Sequence, residues 1–235
     1  IIYGTIASIF VNKHSVINSI TGLGHLFISK NLFIRFIRLF LFKLIKYIFR
    51  ITKSKLIFQN YDDQKLFINL GITTKNMSLI IQSSGVNTTY FKPEFSSKNK
   101  DPIILFPSRV IREKGIIELV KACNSLWLKN INFKLYIAGD IDLGNRSSLS
   151  IKDLNDIKNN INIKFLGHVQ NIKHLYQKAD IVILPSWREG LSRSLIEAAS
   201  MEKAIITTDV PGCRDVITHK KNGLIIARKD QEAIE

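Results

Sequence analysis

Two glutamates, Glu189 and Glu197, stand eight positions apart in "SWREGLSRSLIEAAS" (186–200), among glycine and serines. Carboxylates at a fixed spacing serve as an acid/base pair, as two grips on a ligand, or as a solvated helix face. Helical spacing puts Leu191, Leu195, Ala198 and Ala199 on one apolar stripe at i, i+4, i+7 and i+8. Glu197 lies off that stripe, one turn after Arg193, where an ordinary i,i+4 surface pair accounts for it. Glu189, in the loop before, has no such partner in the sequence.

Cations gather in a second stretch, "PSRVIREKGIIELV" (107–120), where Arg109, Arg112 and Lys114 precede a helix expected from about Gly115. A helix start offers free N–H groups and the positive end of a dipole, and the side chains add charge suited to phosphate. Arg forks two phosphate oxygens, whereas Lys acts as a point charge. A third polar loop, "TTDVPGCRDVI" (207–217), completes the set.

Each loop follows a short apolar run. Such runs occur at 103–107, 133–139, 161–167, 180–186, 204–208 and 223–227, with helix-length amphipathic stretches between them. That alternation predicts an α/β fold with a parallel sheet covered on both faces, and ligands then bind beyond the carboxyl ends of its strands. Three polar loops at one edge predict a nucleotide-diphosphate cleft.

Upstream, "KLIFQN" (55–60) and "SLIIQSSG" (78–85) read as strands of another α/β unit, and "FKPEFSSKNKDP" (91–102) as a linker with a proline at each end. The expected division is 1–92, 93–102 and 103–235. A chain of 235 residues, 46% hydrophobic, suffices for two modest domains. It starts at Ile1 and stops at "QEAIE", within a stretch that reads as helix, so a piece trimmed at both ends is expected.

Cys123 and Cys213 are isolated, which excludes a disulfide framework or a zinc-site spacing and fits a reducing cytosol. Of the net charge of +15, residues 1–100 hold +11, with 14 Lys and Arg against 3 Asp and Glu. An anionic partner for that half is implied. Its densest part is "NLFIRFIRLFLFKLIKYIFRITK" (31–53), whose Arg35, Arg38, Lys43, Lys46, Arg50 and Lys53 fall within an arc of roughly 140° on a helix. The uncharged run Leu39–Phe42 is too short to span a bilayer. A basic stripe opposite an aliphatic and aromatic face predicts a helix lying in an anionic membrane interface. The plainer alternative is a sheet-covering helix with a wet cationic side. Nucleic acid fits less well, because the aromatics lie opposite the cations rather than among them.

Two shorter motifs fail their tests. "TGLGHLF" (21–27), with Gly22 and Gly24, has Phe27 where a dinucleotide fingerprint needs glycine, and Asp62 is the first acid of the chain. "DID" (140–142) has no third ligand, and His168 and His174 have no zinc spacing, so no metal is expected.

Taken in order, "GVNTTYFKP" (85–93), "PSRVIREKG" (107–115), "IAGD" (137–140), "FLGHV" (165–169), "ADIVILPSWREGLSRSLIEAAS" (179–200) and "TTDVPGCRDVI…NGLII" resemble the retaining glycosyltransferases of family 4. Their E-x7-E motif is met by Glu189 and Glu197. "NSITGLGHLF" (18–27) is similar to the acceptor segment of bacterial members that build capsule, O-antigen or lipid-linked oligosaccharide. The resemblance implies a GT-B fold of two Rossmann-like domains with parallel sheets, the N-terminal acceptor domain incomplete in this chain. It implies Glu189, Arg109 and Lys114 as the catalytic set, with Arg109 and Lys114 on the donor diphosphate. Glu189 would hold the transferred sugar and Glu197 the ribose. Backbone N–H groups of Gly190, Leu191 and Ser192 would face phosphate, and Gly139 and the segment Gly167, His168, Val169 would complete the donor site. Ser192 stands where Gly or Pro is frequent. No cofactor or metal is implied, only a sugar-nucleotide donor such as UDP-N-acetylhexosamine. The implied acceptor is a polyprenyl diphosphate-linked saccharide. It would be met by Gly22, Gly24 and the basic helix on the inner face of the cytoplasmic membrane. An epimerase of the same fold, a non-catalytic binding fragment and a glycosidase are the rival readings.

Overall fold

The computed structural model describes residues 2–11, 15–23, 32–82, 85–94, 100–145 and 147–235, with the backbone alone for 32–35. Gly24, the side chain of Arg35 and residues 95–99 of the expected linker lie outside the described residues. The chain divides into two units, residues 1–84 and 85–235.

The first unit runs α1 (Ile2–Ala7), β1 (Ile17–Ile20), α2 (Leu32–Ile51), β2 (Lys55–Phe58), α3 (Tyr61–Asn69), β3 (Ser78–Ile80). Its three strands are parallel in the order β1-β2-β3, with Leu56 of β2 level with Asn18 and Ser78. Asn60 caps α3, its side chain accepting from the Asp63 N–H at 2.8 Å. Leu56, Phe58 and Phe67 form the core with Ile48 and Phe49 of α2.

Helix α2 corrects the two-sided reading of 31–53. Ile48 and Phe49 are buried, and Phe42 and Ile45 pack against the same cluster. Lys43, Lys46 and Arg50 are exposed and Arg38 is half-buried. Phe36, Ile37, Phe40, Leu44, Tyr47 and Ile51 are exposed as well, on an arc of roughly 100° beside the cations. A narrow three-stranded sheet takes only part of the apolar surface, so the helix has three sectors: buried apolar, cationic and exposed apolar. Lys53 lies past its end, in a turn with φ 46°. Among the described residues, no helix is long and apolar enough to cross a membrane.

The second unit contains β4 (Ile103–Phe106), α4 (Ile116–Leu128), β5 (Lys134–Ala138), α5 (Ile151–Lys158), β6 (Ile163–Gly167), α6 (Lys173–Lys178), β7 (Ile181–Leu184), α7 (Arg193–Ser200), β8 (Ala204–Thr208) and β9 (Leu224–Ile226). All six strands are parallel, in the order β6-β5-β4-β7-β8-β9. Covered on both faces, the strands need apolar side chains throughout, and Leu105, Leu135, Val182 and Ile205 are buried. The chain builds outward from β4 through β5 to β6, then returns to β7 on the other side of β4. The switch point of the sheet therefore lies between β4 and β7, the position at which loops of such sheets diverge to leave a crevice at the carboxyl ends.

Two expected boundaries move. Residues 85–94 belong to the second unit: Phe91 is buried edge-on against Tyr176, and the Tyr90 hydroxyl donates to Asn171 Oδ1 at 2.9 Å. The division thus falls at 84/85 rather than after 92. The segment 231–234 is a turn, with the Ile234 N–H donating to Gln231 O, and not the helix expected at "QEAIE".

Candidate active site at the switch point

The loops after β4 and β7 are held together by backbone. Gly115, at φ 74°, opens α4, and a Cβ there would lie 2.0 Å from the Pro185 carbonyl oxygen. A side chain is therefore excluded by both dihedral and contact. The Trp187 N–H donates to Glu113 O at 2.8 Å and the Thr208 hydroxyl donates to Ser186 O, which ties the β7 loop to β4 on one side and β8 on the other. Gly139 does the same for β5, since a Cβ there would meet Ser108 O at 2.0 Å.

This clamp brings Lys114 onto Glu189. Lys114 Nζ lies 2.5 Å from Glu189 Oε1, and the Ser186 hydroxyl donates to the same oxygen at 2.7 Å. The two side chains are 18% and 12% exposed, so water screens the pair only in part. Among the described residues, Glu189 Oε2 has no hydrogen-bond partner. Glu189, lacking a partner in the sequence, has two in space.

Glu197 is buried, 7% exposed. Arg193 Nε donates to its Oε1 at 3.0 Å, as the i,i+4 spacing predicts, and the Tyr176 hydroxyl donates to its Oε2 at 3.1 Å. A solvated surface pair is therefore the wrong description. Burial first, and then the charge of Glu197, push the Tyr176 phenol well above its ordinary range and keep it a donor.

Helix α7 begins at Arg193, with Ser192 as its N-cap accepting from the Leu195 N–H at 3.4 Å. Leu191 consequently sits in the loop and not on the helix stripe. The Ser192 N–H donates to Gly212 O at 3.1 Å, so of the expected phosphate-facing amides this one is occupied. Gly212, at φ 77°, passes so close to Gly190 that a Cβ would reach its carbonyl oxygen at 2.6 Å.

Arg109 extends from the same β4 loop but pairs with Asp142 Oδ2 at 2.9 Å. The Arg109 side chain is 58% exposed, so this pair contributes only about 0–1 kcal/mol. Arg112 pairs with Asp153 of the α5 capping box at 2.8 Å, away from Glu189. Gly167 closes β6 at φ 61°, and after it come exposed His168 and half-buried Val169. His168 Nδ1 stands 3.9 Å from Asp140 Oδ2, an open contact. Gly22 is exposed after β1 of the first unit. Among the described residues, no group of three or more His, Cys, Asp or Glu gathers as for a metal ion. Sequence reasoning missed Ser186, Tyr176 and Thr208. Ser186 carried a signal, three residues before Glu189, whereas nothing local marks Tyr176.

The second unit is thus a doubly wound parallel α/β unit with a Lys–Glu pair at its switch point, the position at which proteins of this architecture bind ligands. Residues 88–235 match the family described as glycosyl transferases group 1, and the chain belongs to that family. It is 31% identical over 217 residues to the N,N'-diacetylbacillosaminyl-diphospho-undecaprenol alpha-1,3-N-acetylgalactosaminyltransferase of Campylobacter jejuni, covering 87% of this chain and 55% of that protein. It is 29% identical over 136 residues to the capsular polysaccharide biosynthesis glycosyltransferase CapM of Staphylococcus aureus, covering 58% of this chain and 35% of that one. The chain thus spans between about a third and just over half of these relatives' lengths. A glycosyltransferase structure from Rickettsia africae ESF-5 superposes with a TM-score of 0.73 at 25% identity, over 98% of this chain and 61% of that one. Anabaena HepE, solved with UDP, superposes at 0.77 with 18% identity, over 99% of this chain and 64% of that one, and shares the fold. That fold is GT-B.

Proposed function

We propose that this chain is part of a retaining, metal-independent glycosyltransferase of family 4. It moves a hexose or N-acetylhexosamine from a UDP-sugar to a polyprenyl diphosphate-linked saccharide in bacterial surface-polysaccharide synthesis. The observation that carries this reading is the Lys114–Glu189 pair at the switch point, with no hydrogen-bond partner on Glu189 Oε2 among the described residues. In it, Glu189 accepts hydrogen bonds from the sugar's hydroxyls while Lys114 lies between that carboxylate and the diphosphate. Arg109 exchanges Asp142 for phosphate, and the two cations stabilise the nucleoside diphosphate as it leaves. Glu197, fixed by Tyr176 and Arg193, holds the ribose hydroxyls. Support for the acceptor class comes from the Campylobacter relative, whose name specifies a diphospho-undecaprenol substrate, and support for the nucleotide from HepE with UDP.

The same reading puts the cationic and exposed apolar sectors of α2 on the anionic inner leaflet, making the enzyme cytoplasmic and peripheral. The charge excess of the first hundred residues favours it. Liposome flotation is then expected to require anionic lipid and to weaken in high salt. Salt-independent flotation, or none, counts against it.

The deciding test is a panel of sugar nucleotides assayed on the full-length enzyme with polyprenyl diphosphate-linked saccharides. Transfer from one UDP-sugar with the anomeric configuration kept is expected. Inverted product, or hydrolysis without any nucleotide, would reject the mechanism.

A further inference from the structure

The first unit has a cavity of about 610 Å³ at the amino ends of β2 and β3, the sheet edge opposite to Gly22. Four cations line it: Lys46 and Arg50 from α2, Lys53 from the turn before β2, and Lys75 from the turn before β3. Among the described residues, no carboxylate lines it. The unit's acids, Asp62 and Asp63, occupy the first turn of α3, whereas its Gly71 end borders the cavity. Helices α2 and α3 both end here, and each contributes roughly −0.5 charge, well short of offsetting four full positive charges. Among the described residues, none of the four cations forms an ion pair.

Two further features suit an anion. The Thr73 hydroxyl is buried at the cavity wall and, among the described residues, has no hydrogen-bond partner. An orphaned buried hydroxyl is costly unless something completes it. Gly71 has φ 63°, and a Cβ there would lie 2.8 Å from Lys46 Nζ. Glycine thus leaves the space in which that ammonium sits. Behind the cations, Phe49, Ile72 and Met77 make an apolar floor.

We propose that this cavity binds the phosphate of an anionic phospholipid. The cations and Thr73 take the phosphate oxygens, and the apolar floor takes the glycerol and first methylenes. A lipid-borne phosphate fits better than a free one, because Lys46 and Arg50 also belong to the exposed cationic sector of α2. Exposed Tyr47 and Ile51 flank them at the same end of the helix. This inference rests on the membrane-facing reading of α2 and adds a discrete site to a diffuse charge attraction.

The test is flotation of the chain on phosphatidylcholine vesicles carrying either phosphatidylglycerol or the carboxylate lipid cholesteryl hemisuccinate, matched in zeta potential. About tenfold tighter partitioning onto phosphatidylglycerol is expected, the worth of one charge-assisted hydrogen bond. Thr73→Val with Lys75→Gln should bring that ratio to about one, with hemisuccinate binding kept within about twofold. Lys75→Gln alone, at an exposed position, should lower it about threefold. Equal partitioning of the wild type, or an unchanged ratio in both variants, overturns the site and leaves the membrane-facing reading standing. Binding to neither vesicle overturns both. Titration with glycerol 3-phosphate separates the sources: saturation there without any phosphatidylglycerol preference means a soluble phosphate ligand and overturns the lipid assignment.

Discussion

Lys114 and Glu189, 75 residues apart in the chain, meet at 2.5 Å across the two loops that flank the switch point. The pair fixes which oxygen of the carboxylate is occupied, Oε1 by Lys114 and Ser186. Removing either partner leaves the other charge part-buried and unmatched, so the mutations are strongly coupled.

A double-mutant cycle checks this. Lys114→Ala should lower kcat/KM by about 10²–10³, with a stability loss of about 1–3 kcal/mol. Denaturant titration of Lys114→Ala, Glu189→Ala and the double variant should give a coupling of about 1–3 kcal/mol. Wild-type transfer by Lys114→Ala would sink the phosphate assignment, and additive stabilities would remove the pair.

In the proposed donor site Tyr176 would act on the nucleotide through Glu197, to which it donates at 3.1 Å. Tyr176→Phe keeps the ring packed against Phe91 and deletes only the hydroxyl. Stability should fall by about 1–2 kcal/mol, and UDP affinity by about fivefold to tenfold, as read by calorimetry. Unchanged affinity with lowered stability would make Tyr176 a core residue and nothing more.

Gly115→Ala should be severe, because the new Cβ would sit 2.0 Å from Pro185 O at a positive φ. A loss of about 3–5 kcal/mol in unfolding free energy is expected. Donor binding should weaken as well, since the same contact aligns Lys114 with Glu189. A variant of wild-type stability would show that the two loops are not clamped at this point.

Burial pushes the thiols of Cys123 and Cys213 up to about 12, from an ordinary 9.0. Below pH 9 both states hold the proton and stability is full. Above it the unfolded chain ionises first, so stability is lost as pH rises toward 12. Each thiol subtracts about 1.4 kcal/mol per pH unit in that window. Urea titrations at pH 8, 9 and 10 should therefore decline more steeply for the wild type than for Cys123→Ala/Cys213→Ala. Parallel slopes would contradict the burial.

Much of the second unit was legible in the residues. Unbroken apolar runs such as "IILFP" and "DIVILPS" require a sheet covered on both faces, and the polar loops after them mark one edge. The first unit was less legible. The amphipathic period of α2 locates the helix, yet hydrophobicity alone does not say how much of the apolar side a narrow sheet will cover.

The sequence by itself determined the alternation of strand and helix, the edge on which Arg109, Lys114, Glu189 and Glu197 fall, and the excess charge of the first hundred residues. Those are properties of nearest neighbours along the chain and of composition. Only the tertiary structure decided the partners. Arg109 reaches Asp142 across 33 residues, Tyr176 reaches Glu197 across 21, and Lys114 reaches Glu189 across 75. Such pairings depend on strand order and on glycines that let backbones touch, and neither has a local period. Glu189 and Glu197 are accordingly two differently held carboxylates, one held through a single oxygen by a lysine and a serine and one buried between a tyrosine and an arginine.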